Sequence, residues 1–200
     1  MAEPHRGRWR RRQHQGPSKV FDRGTRWLLA GCVVALVVVV GLQYWFASQA
    51  QDDAERAVAQ VDLATFSIYL HRQGCPTDCP VYAVLARGDG TVEYEGVRSV
   101  ATVGAARGTL DALQARALAL AALRAGLPAA PAQLLPGAEG CQEWDVGKEL
   151  ITIGARFGAT THTVAYYAGC KPGDPNLERL AREVDGIVGS VRWTRPGGAP

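Results

Sequence analysis

The residues of this chain whose types and spacing could do chemistry are four cysteines beyond residue 70. Cys75 and Cys79 bracket one short loop, Cys75-Pro-Thr-Asp-Cys79, whereas Cys141 and Cys170 lie 29 positions apart. Redox pairs of the thioredoxin type use Cys-x-x-Cys, and a four-cysteine zinc site needs two close pairs, so neither spacing fits. Of the three pairings that four cysteines allow, we favour structural disulfides Cys75–Cys79 and Cys141–Cys170. Redox exchange and metal binding at Cys75 and Cys79 stay open as alternatives.

Polar side chains around the Cys75–Cys79 loop form the best candidate for a contact surface. These are His71, Thr77, Asp78 and Tyr82. The sequence contains no serine nucleophile elbow, phosphate-binding glycine loop or His-Glu-x-x-His motif. We therefore predict no catalytic, cofactor-binding or metal-binding residues, and the interpretation leans away from an enzyme.

An acidic set surrounds Trp144 and consists of Glu139, Glu143, Asp145 and Glu149. It is typical of a solvated acidic loop, although it could bind a cation or a basic partner. A weaker hypothesis is a cell-wall hydrolase that uses Glu143 and Asp145. Glycosidases need a defined separation between their two carboxylates, which the sequence does not give.

A strongly apolar segment of 20 residues occupies positions 27–46, and Gln43 is its only strongly polar residue. At about 1.5 Å per residue a helix of this length spans about 30 Å, the thickness of a bilayer's hydrocarbon core. Tyr44, Trp45 and Phe46 lie where an interfacial aromatic belt is expected. We predict a transmembrane helix that acts as a signal anchor.

Charge on either side of this segment predicts its orientation. Residues 1–26 hold eight basic side chains against Glu3 and Asp22, a net charge of +6. Residues 51–200 hold 14 basic and 17 acidic side chains, a net charge of −3. Basic segments stay on the cytoplasmic side, so we expect a single-pass protein of the bacterial inner membrane with a periplasmic C-terminal domain. Two alternatives are cleavage after Ala50, which would release the domain, and nucleic-acid binding by the basic head, which we do not expect.

We predict that the exported part contains one domain at 64–193. A stalk at 47–63 precedes it, and a disordered tail at 194–200 follows it. Alternation of apolar and polar residues predicts strands, which are 66–71, 81–87, 91–96, 98–103, 150–157 and 161–167. Gly88-Asp89-Gly90 suits a tight hairpin between the second and third strands. Val92 and Tyr94 are expected to face inward.

Two amphipathic helices complete the predicted architecture. Thr109 is a plausible cap for the first helix, and Asp174-Pro175 opens the second. Their expected buried stripes are Leu110, Leu113, Ala117, Leu120 and Ala121 for the first helix, and Leu177, Leu180, Val184, Ile187 and Val191 for the second. Because hairpins join most strands, we predict an α+β domain with a largely antiparallel sheet and both helices on one face.

Several motifs in the domain resemble a known bacterial family. They are Gly74-Cys75-Pro76, Cys79-Pro80-x-Tyr82, Gly88-Asp89-Gly90-Thr91-Val92, Tyr94, Gly96 and Tyr166-Tyr167-Ala168-Gly169-Cys170. The stretch 64–193 is similar to the family called domain of unknown function 6438. The resemblance implies a small exported or envelope-associated domain, and it assigns no catalytic residues because the family has no assigned activity.

Our functional hypothesis is a membrane-anchored, non-enzymatic module that binds an envelope protein or a cell-wall partner. The alternative, from a different class, is a periplasmic thiol–disulfide enzyme that uses Cys75 and Cys79. The reduction potential of that bridge separates the two, because structural disulfides have potentials below about −300 mV.

Overall fold

Beyond residue 66, the side chains of successive strands alternate between buried and more exposed positions. The structure is a computed structural model that describes residues 23–76 and 78–195. The chain divides into two compact units, Met1–Phe46 and Ala47–Pro200. Most of the predicted head (1–26) and of the predicted tail (194–200) lies outside the described residues, so both stay predictions from the sequence.

The N-terminal described element is helix α1 (Arg23–Ala59), which contains positions 27–46 and the first part of the predicted stalk. A short 3-10 helix, Leu63–Thr65, follows, and the side chain of Asp62 caps it. Among the residues that the structure describes, none of the helices meets the combined demands of length and apolar content for crossing a bilayer. The membrane anchor therefore stays a prediction from the sequence.

The remaining described residues form nine strands and three more α-helices. The strands are β1 (Ser67–Arg72), β2 (Val81–Arg87), β3 (Thr91–Arg98), β4 (Gly104–Thr109), β5 (Gln133–Leu134), β6 (Glu143–Trp144), β7 (Leu150–Phe157), β8 (Thr160–Tyr167) and β9 (Cys170–Lys171). The helices are α2 (Ala112–Arg124), α3 (Pro175–Val188) and α4 (Val191–Thr194).

Seven of these strands form one sheet in the order β4-β3-β2-β1-β7-β8-β5, and β6 pairs with β9 separately. Every neighbouring pair is antiparallel except β5 with β8, which is parallel. The predicted α+β class and largely antiparallel sheet are confirmed. Strand β1 lies near the middle of the sheet, between β2 and β7.

The fourth strand was predicted at 98–103, and the structure shows it later, at Gly104–Thr109. Strand β3 continues to Arg98, and residues 99–103 reverse the chain, with Ser99 in the left-handed region at φ 55°. Gly104 then pairs with Gly96. The prediction was wrong because β4 has few of the β-branched and aromatic residues that signal a strand.

The core lies on one face of the sheet. Leu70 of β1 pairs with Val84 of β2 and with Ile153 of β7, and all three are almost fully buried. Val92 and Tyr94 point to the same core, as predicted. The buried residues of α2 and α3 join this core, and the two helices pack against each other.

Helix α2 differs from its prediction in its cap and in its buried face. Asp111, two residues after the expected Thr109, accepts a hydrogen bond from the Gln114 backbone N–H at 2.7 Å. The side-chain oxygen of Gln114 in turn accepts a hydrogen bond from the backbone N–H of Asp111, which completes a capping box. Small residues form most of the buried face (Ala115, Leu118, Ala119, Ala121 and Ala122), while Leu113 is 78% exposed. Leu110 and Ala121 of the predicted stripe are buried as expected, whereas Ala117 and Leu120 are only partly buried. Small side chains replace the predicted leucine on the buried face because α2 packs closely against α3.

Helix α3 begins as predicted, with Asp174 as its cap and Pro175 in its first turn. Leu177, Leu180 and Val184 are buried, as expected. The helix ends at Val188 because Gly189 adopts a left-handed conformation with φ 70°. Val191 therefore belongs to the separate helix α4 and is 44% exposed, so its predicted place in the stripe was wrong.

The structure contains both disulfides of the favoured pairing, Cys75–Cys79 and Cys141–Cys170. Cys141 and Cys170 are buried, and their bridge closes a loop of 29 positions that contains β7 and β8. On the loop-closure estimate, the short and the long bridge stabilise the fold by about 2 and about 3.6 kcal/mol.

We predict that Gly88→Ala destabilises the domain by about 2 kcal/mol or more, since a clash with fixed backbone is among the few causes of large losses. A Cβ atom at Gly88 would overlap the backbone carbonyl of Leu63. The matched control is Gly186→Ala in α3, where a Cβ atom meets nothing within 4 Å. Alanine at that helical site should leave stability unchanged or raise it by up to about 1 kcal/mol. Chemical unfolding of both variants tests this, and equal losses would contradict it.

Candidate functional site

An arginine occupies an inward-facing position of the central strand. Ile68, Leu70 and Arg72 alternate along β1, so Arg72 points to the same face as the core. Arg72 lies at the end of the strand, opposite Tyr82 on one side and Ile151 on the other. Its side chain is only 12% exposed, so its charge needs partners inside the protein.

Asp185 of α3 provides the main partner. The Nε and Nη2 groups of Arg72 donate to Asp185 Oδ2 at 2.9 and 2.8 Å. The other carboxylate oxygen, Oδ1, accepts from the Tyr82 hydroxyl at 2.6 Å and from the Ser190 hydroxyl at 2.7 Å. Four donors therefore hold both oxygens of this carboxylate.

Glu149, just before β7, provides a second carboxylate, and its Oε1 accepts from Nη1 of Arg72. Its side chain is 23% exposed and that of Asp185 is 19% exposed. One guanidinium thus faces two carboxylates, which leaves an excess negative charge. We call Arg72, Tyr82, Glu149, Asp185 and Ser190 the Arg72 cluster.

The surroundings shift the pKa values of three members of the Arg72 cluster. Burial raises the pKa of Glu149, and Asp185 adds to this while Arg72 opposes it. Burial also raises the pKa of the Tyr82 hydroxyl, with a further contribution from Asp185. Burial alone would lower the pKa of Arg72, but Asp185, Tyr82 and Glu149 outweigh it and the pKa of Arg72 lies above its usual value. At neutral pH, Tyr82 is thus a hydrogen-bond donor and Arg72 is a cation.

The Arg72 cluster forms one side of a cleft of about 640 Å³. Asp78, Cys79 and Pro80 from the disulfide loop also line it, together with Gly186 and Gly189 at the end of α3 and Val191 and Thr194 of α4. We call it the Arg72 cleft. The Cys75–Cys79 bridge fixes the loop, and Gly74 before it has φ 82°, a conformation that suits glycine.

The structure brings two of the four predicted contact residues together. Asp78 and Tyr82 line the Arg72 cleft. His71 follows Leu70 and so lies on the opposite face of the sheet, where its ring is 6.1 Å from that of Tyr69. Thr77 lies outside the described residues, and its predicted role stays a prediction.

The acidic set divides in the structure. Glu149 alone joins the Arg72 cluster, whereas Asp145 forms an exposed ion pair with Lys171 at 2.7 Å. Glu143 is exposed on β6. Within the described residues, no three His, Cys, Asp or Glu side chains are arranged so that they could hold a metal ion.

Sequence reasoning missed Arg72, Asp185 and Ser190, and it named Glu149 only as a member of the acidic set around Trp144. The only signal for them was Arg72 itself, because the alternation that buries Phe66, Ile68 and Leu70 continues to position 72. A charged residue at an inward position predicts a buried partner. The identity of that partner was hidden, since Asp185 is 113 positions away.

Hydrogen bonds within the Arg72 cluster already engage its carboxylate and hydroxyl groups. Asp185 already accepts from four donors, and the raised pKa keeps Tyr82 protonated. The Ser190 hydroxyl donates to a carboxylate and is 4% exposed. An activated serine needs a neighbouring base that accepts its proton, which in most enzymes is a histidine.

Fold and site together define a disulfide-linked α+β domain with a polar cleft beside its central strand. Residues 66–188 match the family described as Domain of unknown function (DUF6438), so the chain belongs to this family. No curated protein matches the chain.

The two stacked tyrosines of the core, Tyr82 and Tyr94, provide a matched test of the Arg72 cluster. Their rings are 5.7 Å apart, but only Tyr82 bonds to a carboxylate, while the Tyr94 hydroxyl is buried and finds no hydrogen-bond partner among the described residues. Tyr82→Phe should lower the free energy of unfolding by about 1.5–3 kcal/mol, and Tyr94→Phe should be neutral or stabilising. Denaturant titrations measure both, and equal effects would contradict this role of the Asp185 bond.

The raised pKa of Glu149 predicts how Glu149→Gln changes stability with pH. The folded state binds a proton at Glu149 more readily than the unfolded chain, so the ionised side chain destabilises the fold above its folded pKa. This destabilisation is removed as pH falls towards 4.5, the ordinary value for glutamate. The variant should therefore gain most over the wild type at pH 7 and least near pH 4.5. Unfolding curves across this range test it, and a constant difference would contradict it.

Proposed function

We propose that the chain is a single-pass inner-membrane protein that displays its α+β domain in the periplasm as a non-enzymatic binding module. The observation that carries the binding role is the Arg72 cleft, an open cavity beside a fixed set of charged and hydroxyl groups. We further propose that the Arg72 cleft is the contact surface for an envelope protein or a cell-wall component.

Three observations support the anchored, exported topology. The basic residues of 1–26 and the mildly acidic balance of 51–200 favour a cytoplasmic N-terminus. Most of the large apolar side chains described between positions 33 and 46 of α1 are more than half exposed, for example Val34 and Leu36 at 63% and 65%, as expected for a surface that faces lipid. Disulfides persist in oxidising compartments such as the periplasm.

The surroundings of the cysteines favour a structural role over the alternative of a thiol–disulfide enzyme. Cys75 is only 7% exposed, whereas a catalytic cysteine must be accessible to its substrate. The described residues of the loop, Cys75, Pro76, Asp78 and Cys79, lie outside any helix, whereas the thiols of such enzymes are activated at a helix start. These features support a structural role for this disulfide, whose Cys79 lines the Arg72 cleft.

Photo-crosslinking in cells tests the proposed contact surface. Val191 lines the Arg72 cleft and is 44% exposed, so p-benzoylphenylalanine at this position should form a specific adduct. The matched control is Val146, which is 84% exposed and lies outside the cleft lining. Alanine at both Thr77 and Asp78 should reduce the adduct from position 191. No adduct at 191, or equal adducts at both positions, would contradict the proposal.

A further inference from the structure

We propose that the Arg72 cleft binds a cationic group with an apolar stem, of which a lysine side chain of a peptide is the simplest example. This inference rests on the proposed function and adds to it the charge and shape of the ligand. The starting observation is the charge balance of the cluster, where Glu149 and Asp185 face the single guanidinium of Arg72.

The excess negative charge of the Arg72 cluster remains when the other charged residues that line the cleft are included. Asp78 and Arg195 both line the Arg72 cleft and are exposed, and their charges cancel. Both oxygens of Asp185 already accept hydrogen bonds, whereas the side chain of Glu149 bonds to Arg72 through Oε1. An ammonium group that reached Glu149 would balance the charge, whereas an anion would meet two carboxylates.

The rest of the cleft lining leaves room for the stem of such a ligand. Gly186 lies next to Asp185 on α3, and a Cβ atom there would meet nothing within 4 Å. Pro80 and Val191 add apolar surface, along which an alkyl chain can lie while its charged end reaches the cluster. The volume of about 640 Å³ is in the range of about 300–1,000 Å³ that is usual for ligand pockets.

The charge of the exported part favours the same class of ligand at longer range. Residues 51–200 carry a net charge of −3, which attracts cationic partners and repels anionic ones. This general attraction is weak and unspecific, so the test must separate it from binding in the Arg72 cleft.

Calorimetric titration of the full chain, in nanodiscs of zwitterionic lipid at pH 7, provides that test. The probes are acetylated and amidated tetralysine, tetraglutamine and tetraglutamate peptides. Tetralysine should bind and the other two should not. Glu149→Gln should weaken tetralysine binding about tenfold, because it removes a partly buried charge that pairs with the ligand.

The matched control is Glu183→Gln, which makes the same change of charge on the exposed side of α3. Glu183 pairs only loosely with Arg179, at 3.7 Å, and lies outside the cleft lining, so this variant should bind within about twofold of the wild type. Gly186→Leu should abolish binding by filling the Arg72 cleft, while its melting temperature shows that it still folds.

Three results would overturn the cationic ligand. They are binding of tetraglutamate or tetraglutamine as strong as that of tetralysine, an equal loss in Glu149→Gln and Glu183→Gln, and full binding by a folded Gly186→Leu variant. If position 191 still gives its adduct in cells, the proposed binding role survives such a result. If the adduct is also missing, both proposals fail.

Discussion

The ion pair between Arg72 and Asp185 is the interaction on which the architecture depends most. Strand β1 has neighbours on both sides and its alternation turns Arg72 towards the core, so only 12% of its side chain is exposed, where it lines the Arg72 cleft. A buried charge without a partner costs several kcal/mol. Asp185 removes that cost only when α3 lies across the end of β1, so the charge fixes where the helix sits. Apolar packing alone would hold α3 on the sheet but would not specify its position so narrowly.

The position of Asp185 also explains the structure of the residues that follow α3. Gly189 stops α3 in a left-handed conformation, and the reversal lets Ser190 donate back to Asp185. Trp193 then stacks on Tyr94 of β3 at 4.8 Å, and its carbonyl accepts from the backbone N–H of Thr102 in the turn before β4. Ser190 of the Arg72 cluster is thus followed directly by α4, which Trp193 attaches to Tyr94 and to the turn before β4. Substitutions in the Arg72 cleft should therefore also change the stability of the core. Binding measurements on such variants need a stability control.

Local patterns in the sequence were enough for the parts of the fold that depend on neighbouring residues. Alternation located β2, β7 and most of β1, and Gly88-Asp89-Gly90 located the first hairpin, where Gly90 has φ 90°. Patterns failed for β4, whose strand conformation comes from pairing with β3 and not from its own residues. They also failed for the site, because Tyr82 and Asp185 are 103 positions apart and meet only after the sheet and α3 have packed. A charged residue at an inward position predicts that it has a buried partner, but only the tertiary structure identifies that partner.

Two residues that line the Arg72 cleft, Glu149 and Gly186, are unfavourable for the stability of the domain. Glu149 places a second carboxylate beside a guanidinium that Asp185 already neutralises, and burial makes its charge unfavourable. Gly186 occupies a helical position where alanine would fit and would stabilise the helix by up to about 1 kcal/mol. Proteins tolerate such losses mainly at sites that do something besides hold the fold together. Either feature alone could be an accident of sequence, but one adds unbalanced negative charge and the other adds space in the same cavity. A ligand with a positive charge and a slender stem accounts for both with a single cause.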